Sequence, residues 1–269
     1  MTQPLAFVFA FFMGAAVGSF VNVVADRVPA GQSLVRPGSH CPACHTHLRA
    51  FDLVPVLSYV WLRARCRYCG AAIPRRLPLV EAGTGLLFAL ALASYGLSAA
   101  FAVAAVILGL LVAIAIIDLE HGLILHKVVV PASVAALLMA PLWPLVGVER
   151  EFFPGTFDWP GPLASLASSL AGGGAGFVFF LGILLLRPGG MGFGDVMLGG
   201  LLGLLLGLAG VVIAVWVASV AGGLVAVVLL VLRIRGRKSG IPFGPFLAGG
   251  AMVALLAGPQ IWAWYLPGR

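Results

Sequence analysis

A run of 37 residues, 196–232, contains no charged side chain and limits the possible folds more than any other feature. A helix of about 20 apolar residues crosses a bilayer, so this run is too long for one span. We expect it to divide at residues 207–210, where glycines cluster. The first part is then short, and the glycine-rich sequence before it is expected to lie partly within the membrane, covered by protein or facing a water-filled cavity.

The rest of the chain is almost as apolar, with 61% hydrophobic and only 9% charged residues among 269. Soluble domains contain about 25% charged residues, which excludes a soluble globular protein. The sequence predicts an all-α polytopic membrane protein with about eight transmembrane helices. The expected spans are 5–24, 81–97, 99–117, 128–148, 163–186, two within 196–232, and 243–265.

The basic residues predict the orientation. Nothing basic precedes the first span and no cleavage site follows it, so we expect an anchor with the N-terminus outside rather than a signal peptide. All 16 lysines and arginines except Arg150 and Arg269 then fall in inner loops, as the positive-inside rule requires. This distribution explains the net charge of +7 without nucleic-acid binding.

A polar insert, residues 26–80, contains all four cysteines of the chain. They form two Cys-x-x-Cys pairs separated by 21 residues, a spacing typical of a tetrahedral zinc site. Two disulfides are the alternative, which a reducing cytoplasm disfavours. Four thiolates leave no position for water, so we expect a cytoplasmic structural zinc site. Its expected ligands are Cys41, Cys44, Cys66 and Cys69, without the neighbouring His40, His45 and His47.

Two aspartates lie at the inner ends of expected spans. Asp118 follows the apolar run 99–117, and Asp195 follows the glycine-rich turn Gly192, Phe193, Gly194. A carboxylate at the mouth of an apolar helix is a candidate for function. Three interpretations remain open: a catalytic pair, a proton or cation pathway, and two unrelated aspartates that cap helix ends.

A catalytic pair would have a defined chemistry. Two carboxylates held close together do not both ionise easily, so one stays protonated while the other stays ionised. The ionised group can take a proton from water that attacks a peptide carbonyl, and the protonated group can protonate the leaving amine.

Two other polar residues have structural interpretations. Asn22, near the inner end of the first span, is expected to form a hydrogen bond between helices. Glu81 is expected in the first turn of the second span, where a carboxylate interacts favourably with the helix dipole.

Six motifs, which occur along the chain in the order that the family has, resemble those of the type IV prepilin peptidases, also called prepilin leader peptidase/N-methyltransferases. Gly192-Phe193-Gly194-Asp195 matches their GxGD signature, and Ile117-Asp118 matches their first catalytic aspartate. The cysteine pairs match their zinc-binding insert. Further resemblances lie at residues 18–24, 75–81 and 241–245.

The resemblance implies a membrane aspartyl endopeptidase with Asp118 and Asp195 as catalytic residues. It implies removal of a short, positively charged leader from prepilins or pseudopilins at the cytoplasmic face of the bacterial inner membrane. It also implies methylation of the new N-terminus with S-adenosylmethionine, although no nucleotide-binding loop locates that site. A proton-coupled transporter and a zinc-containing scaffold without chemistry are the alternatives.

The chain departs from the family pattern at four positions. His126 and Lys127 stand where the family usually has Pro-Asp, Met197 stands where a lysine commonly follows the second aspartate, and Leu53 replaces an asparagine. Both aspartates are retained, so these departures bear on substrate preference and methylation. We divide the chain into a first helix (1–25), the insert (26–80) and a seven-helix membrane domain (81–269).

Overall fold

The structure is a computed structural model that describes residues 2–148, 161–187, 189–232 and 242–265. The expected loops at 149–162 and 233–239 lie largely or wholly outside the described residues. Within the described part, regular structure is helical apart from two isolated bridges in the insert. The prediction of an all-α protein is therefore confirmed, whereas the three-part division of the chain stays a prediction.

Seven helices of the described chain are long and apolar enough to cross a membrane. An eighth, α2 (Leu57–Trp61), is a single turn in the insert. The seven long helices are α1 (Thr2–Arg27), α3 (Arg76–Tyr95), α4 (Ala99–His121), α5 (His126–Met139), α6 (Gly161–Leu186), α7 (Phe193–Val231) and α8 (Gly244–Tyr265).

The longest helix, α7, is broken at Gly207, whose φ of 72° and ψ of −179° are not helical. A Cβ built at this position would lie 2.6 Å from Ser168 Oγ of α6, so both the backbone and the neighbour require glycine. Ser168 Oγ in turn accepts a hydrogen bond from the Leu208 N–H at 3.3 Å. The predicted division of the apolar run is confirmed: α7 consists of two helical segments that meet at Gly207.

The outer end of the fourth expected span also differs from a regular helix. Helix α5 ends at Met139, and a 3₁₀ segment, Ala140–Val146, follows it. Pro141 and Pro144 lie in this segment, where they cannot donate the backbone hydrogen bonds of an α-helix. The α-helix therefore changes to a 3₁₀ helix at these prolines.

The chain forms two compact units, Met1–Ala113 and Ile114–Arg269. In the first unit, α1 and α3 pack closely at glycines: a Cβ at Gly18 would lie 2.8 Å from Glu81 Cα. Near the ends of the same helices, Asn22 Nδ2 donates a hydrogen bond to the Leu77 carbonyl at 3.2 Å. The interhelical hydrogen bond predicted for Asn22 is confirmed.

Glu81 has a different role from the one predicted. Helix α3 begins at Arg76, so Glu81 lies in its second turn rather than its first. Its buried carboxylate accepts a hydrogen bond from the Val56 N–H of the insert at 2.7 Å. Val56 has a φ of 62°, which is unfavourable for a β-branched residue. Glu81 therefore fixes a strained part of the insert to α3.

In the second unit, glycines bring α6, α7 and α8 together. A Cβ at Gly172 would lie 2.6 Å from the Gly207 carbonyl carbon, and a Cβ at Gly250 would overlap the Ala214 carbonyl oxygen. Small residues therefore allow close helix packing at these positions. It does not extend to Gly174, Gly223 or Gly249, around which a Cβ would meet nothing within 4 Å.

Candidate active site and metal centre

Asp118 lies in the last turn of α4, within the second unit. Its side chain is buried, with 5% of the residue exposed. The backbone of Gly244 is the nearest group to its Oδ2 atom. Burying a carboxylate is unfavourable for folding, so a buried aspartate at the end of an apolar helix is a candidate for function.

Asp195 lies in the first turn of α7, directly after the glycine-rich turn. Its Oδ2 accepts a hydrogen bond from the Gly192 N–H at 3.3 Å, which caps the start of the helix. Asp195 is half-buried and interacts electrostatically with Asp118. The structure therefore brings together the two aspartates that the sequence singled out, from the end of α4 and the start of α7.

Two residues with no polar side chain shape the space around these carboxylates. Gly244 begins α8 and lies so close to Asp118 that a Cβ on Gly244 would overlap Asp118 Oδ2. Ile124, in the loop after α4, packs on Gly194: a Cβ on Gly194 would lie 2.8 Å from Ile124 Cβ. Glycine is thus required at Gly244 and Gly194 because other groups approach closely.

A row of three rings holds the turn before Asp195. The His126 ring, at the start of α5, stacks on Phe193 with a centroid distance of 6.2 Å and an interplanar angle of 18°. On α6, Phe177 meets Phe193 edge to face, at 6.5 Å and 89°. Both geometries are favourable for aromatic pairs. Phe193 is therefore fixed between α5 and α6, although half of its surface is exposed.

The positions where the chain departs from the family pattern fall in two regions. His126 contacts the turn that carries Asp195, and Met197 follows Asp195 within the same helix. Lys127, next to His126, is exposed. Leu53 lies in a 3₁₀ turn of the insert, Ala50–Leu53, and belongs to the first unit.

Sequence reasoning did not find the roles of Ile124 and Gly244. Neither side chain has catalytic chemistry, and the contacts that make them important come from residues distant in the sequence. The stacking of His126 on Phe193 was equally hidden. The only available signal was their position in or beside segments with a family motif.

The four cysteines form the second site, in the insert. Their four Sγ atoms all lie within 4.8 Å of one another, and those of Cys41 and Cys69 are 3.8 Å apart. None of the four forms a disulfide. A tetrahedral zinc site with Zn–S bonds of about 2.3 Å has sulfur–sulfur edges of about 3.8 Å. The cluster therefore fits a metal ion bound by Cys41, Cys44, Cys66 and Cys69.

The two halves of this cluster have the same backbone conformation. The His45 N–H donates to the Cys41 carbonyl at 2.8 Å, and the Gly70 N–H donates to the Cys66 carbonyl at 2.9 Å. His45 and Gly70 both have a positive φ, of 56° and 74°. Isolated antiparallel bridges, His40 with His47 and Arg65 with Ala72, close the two turns. Each pair of cysteines is therefore presented by the same kind of tight turn.

Comparison with known proteins identifies two matching family models. The Bacterial Peptidase A24 N-terminal domain matches residues 12–95, which include the insert. The Type IV leader peptidase family matches residues 105–227, which include Asp118 and Asp195. No solved structure matches the chain.

Curated relatives match over nearly the whole chain. The prepilin leader peptidase/N-methyltransferase of Burkholderia pseudomallei (strain K96243) is 37% identical, over 93% of this chain and 85% of the relative. The proteins of the same name from Stutzerimonas stutzeri and Pseudomonas aeruginosa are each 33% identical, over 98% of this chain and 96% and 95% of the relatives. The chain therefore belongs to the type IV leader peptidase family, together with these prepilin leader peptidase/N-methyltransferases.

Proposed function

We propose that this chain is a membrane aspartyl endopeptidase that removes the leader peptide from type IV prepilins or type II secretion pseudopilins. The observation that supports it most strongly is the proximity of two acidic side chains in an apolar chain: Asp118 is buried, and Asp195 lies close enough to interact with it electrostatically. The names of the relatives support prepilins as the substrate class. Asp118 and Asp195 are the proposed catalytic residues.

The reaction needs one ionised and one protonated carboxylate. The ionised group accepts a proton from water as the water oxygen attacks the scissile carbonyl carbon. The protonated group donates a hydrogen bond to the carbonyl oxygen and stabilises the negative charge that develops there. When the C–N bond breaks, the nitrogen of the leaving amine receives a proton from the dyad, and the new carboxyl group keeps the water oxygen.

Residues Gly192, Phe193 and Gly194 form the proposed active-site loop. The loop is held on one side by Ile124 against Gly194 and on the other by the ring stack on Phe193. A loop fixed in this way sets the position of Asp195 relative to Asp118. Positioning of this kind matters because a shift of about 1 Å in a catalytic group can lower the rate about 100-fold.

The proposed location is the bacterial inner membrane, with the N-terminus outside and both aspartates and the insert at the cytoplasmic face. The distribution of basic residues supports this orientation, since inner loops carry all of them except Arg150 and Arg269. The seven apolar helices of the described chain support a multi-pass protein. Prepilin leaders are expected to be positively charged and therefore to remain on the cytoplasmic side.

A second activity, methylation of the new N-terminal residue with S-adenosylmethionine, is proposed from the names of the relatives. We assign no residue to the methyl donor. Zinc bound at Cys41, Cys44, Cys66 and Cys69 would supply folding energy to the insert, because a small polar segment cannot bury enough core to be stable alone. It has no role in the peptidase step.

The experiment uses purified full-length protein in detergent and a prepilin from the same organism. The mass of the product is followed with and without S-adenosylmethionine for the wild type, Asp118→Asn and Asp195→Asn. Glu120→Gln is the control, because Glu120 is an exposed carboxylate two residues from Asp118 on the same helix. The wild type and the control should release the leader, and both aspartate variants should be inactive.

The outcomes separate the candidate functions. An added methyl mass only with S-adenosylmethionine would establish the second activity. Cleavage at a near wild-type rate by either aspartate variant would disprove the catalytic pair. If no protein cleaves a substrate that another member of the family processes, pH-dependent ion uptake into liposomes tests the transporter instead.

A further inference from the structure

One face of the short helix α2 is apolar and uncovered. Leu57, Val60 and Trp61 follow the i, i+3, i+4 spacing that places side chains on one helix face. All three are exposed, Val60 at 66% and Trp61 at 48%. The insert is the most polar part of the chain, so this face is not one of the lipid-facing surfaces expected of the spans.

The 3₁₀ turn Ala50–Leu53 contacts α2. Phe51, in this turn, is 73% exposed, and Leu53 is exposed as well. Exposed large apolar side chains that cluster in this way indicate an interaction surface rather than isolated surface residues. We call Phe51, Leu57, Val60 and Trp61 the apolar patch.

Arginines surround the apolar patch in the sequence. Arg49 precedes the 3₁₀ turn, and Arg63 and Arg65 follow α2; all three are exposed. The insert has eight arginines and only two acidic residues. The patch is therefore part of a strongly basic segment.

Both acidic residues of the insert are already paired with arginines. Asp26 receives hydrogen bonds from Arg76 at 2.8 and 2.9 Å, and Asp52 receives one from Arg67 at 2.7 Å. Burial acts to raise the pKa of Asp52, but hydrogen bonds from Arg67, the Arg49 N–H and Tyr68 outweigh it and lower the pKa below its ordinary value. No acidic residue of the insert remains to neutralise Arg49, Arg63 and Arg65.

The insert is also held at the end of two membrane helices. It begins after α1 and ends at α3, and the Arg76–Asp26 pair joins the adjacent ends of these helices. The bond from the Val56 N–H to Glu81 ties the residue just before α2 to α3. Helix α2 is therefore kept near the point where the chain leaves and re-enters the bilayer.

We propose that the apolar patch and Arg49, Arg63 and Arg65 bind the surface of the adjacent membrane leaflet through anionic phospholipids. The aromatic and aliphatic side chains would enter the headgroup region, where Trp is favoured. The guanidinium groups would bind lipid phosphates, which they match in geometry and charge. Charge argues for this occupant over the substrate's leader, because the leader expected from the proposed function is itself positive and would be repelled.

The test measures how deeply Trp61 enters the lipid. Full-length protein is placed in nanodiscs of phosphatidylcholine, with or without phosphatidylglycerol, whose acyl chains carry bromine near the headgroup. Bromine quenches nearby tryptophan fluorescence. The contribution of Trp61 is the difference between the wild type and Trp61→Phe. Trp216 is the matched control because it is exposed on span α7, so its contribution should be the same in both lipids.

We expect Trp61 to be quenched in nanodiscs that contain phosphatidylglycerol and much less in phosphatidylcholine alone. Replacing Arg49, Arg63 or Arg65 with glutamine should lower the ratio of bound to unbound insert about fivefold each. Val60→Ser should weaken binding without a change of charge. Zinc content, measured for each variant, shows that the insert is folded.

Three results would overturn the proposal. Trp61 could remain unquenched in both lipids, which would leave the apolar patch facing water. Quenching could be equal in the two lipids and insensitive to the arginine variants, which would exclude recognition of anionic headgroups. Finally, Trp61 could be shielded only after a prepilin is added, which would make the patch a protein-binding surface. Only the argument against the leader as occupant rests on the proposed function; binding of lipid by the apolar patch requires neither aspartate.

Discussion

The cysteine cluster and the aspartate pair are built in opposite ways. The cluster is local: Cys41 and Cys69 are 28 positions apart, and two similar tight turns present all four sulfur atoms. The aspartate pair joins the end of α4 to the start of α7, with α5 and α6 between them in the sequence. The cysteine cluster depends on the conformation of its own two turns. The aspartate pair depends instead on the packing that fixes the positions of the helix ends that carry the two aspartates.

This difference determines which neighbours matter. Around the cysteines, the supporting groups are backbone N–H and carbonyl groups of the same short segments. Around the aspartates, they are Gly244 of α8, Ile124 of the loop after α4, and the rings of His126 and Phe177 from α5 and α6. Substitutions at the two sites should therefore have separable effects, on metal content in one case and on rate in the other.

The largest effect is expected for Cys66→Ser. Removing one of four thiolates leaves an incomplete tetrahedron, so the insert should lose its zinc to a chelator that the wild type withstands, and with it part of the roughly 10–16 kcal/mol that zinc supplies in small zinc-binding peptides. Metal content by mass spectrometry and limited proteolysis of the insert measure the result. His47→Ala is the control and should keep its zinc, since four sulfur ligands complete the tetrahedron. One zinc per chain in Cys66→Ser, held against the chelator as in the wild type, would contradict the assignment of Cys66 as a ligand.

The same contrast explains what could be predicted from the sequence. The paired Cys-x-x-Cys spacing was enough to predict the cluster, because the conformation of each turn depends on the residues within it. The length and apolar content of each run, together with the glycines at residues 207–210, were enough to predict the spans and the break at Gly207 in α7. The electrostatic pairing of Asp118 and Asp195 could be anticipated only as one of three interpretations, since nothing local connects them.

Some details depend on packing between distant segments and could not be predicted. Glu81 was expected to interact with its own helix, but an early start of α3 at Arg76 moves it into the second turn and turns it towards Val56. Gly244 and Ile124 have no chemistry to attract attention. Their importance comes from close approaches that only the folded chain creates.

A substitution at Gly244 tests the dependence of the aspartate pair on a distant helix. The Cβ of Gly244→Ala would overlap Asp118 Oδ2 and displace that carboxylate. We expect kcat for leader removal to fall about 100-fold, as for a shift of about 1 Å in a catalytic group. Zinc content should not change. Gly249→Ala on the same helix is the control, because its Cβ would meet nothing within 4 Å; equal losses in both variants would contradict the contact.

The ring stack should have a smaller effect on the same site. His126→Leu keeps an apolar side chain but removes the ring that stacks on Phe193. An aromatic pair contributes about 0.5–1.5 kcal/mol, so kcat should fall about two- to tenfold. His126→Phe keeps a ring and should restore most of the rate. A double variant with Phe193→Leu should lose no more than Phe193→Leu alone, and additive losses would show that the two rings act independently.

The smallest effect concerns the two Cys-x-x-Cys turns, which have the same backbone conformation but different residues at one equivalent position. His45 and Gly70 both adopt a positive φ, which is unfavourable for every residue with a Cβ. The left-handed conformation costs alanine about 1–2 kcal/mol, and the extra entropy that glycine loses offsets about 0.5–1 kcal/mol of this. His45→Gly should therefore bind zinc more tightly than His45→Ala by about 0.5–1 kcal/mol, or roughly two- to fivefold. Comparing Gly with Ala also cancels the loss of the His45 ring, which stacks on His40. Gly70→Ala should weaken zinc binding by a similar factor.

Competition with a chromogenic chelator measures these differences in the full-length protein. The changes in zinc affinity should have opposite signs at His45 and Gly70, because the two turns have the same backbone conformation. Introducing glycine at His45 removes the strain of a positive φ, and introducing alanine at Gly70 creates it. An unchanged affinity in Gly70→Ala would contradict this, since a Cβ there meets no neighbour within 4 Å and only the backbone conformation opposes it.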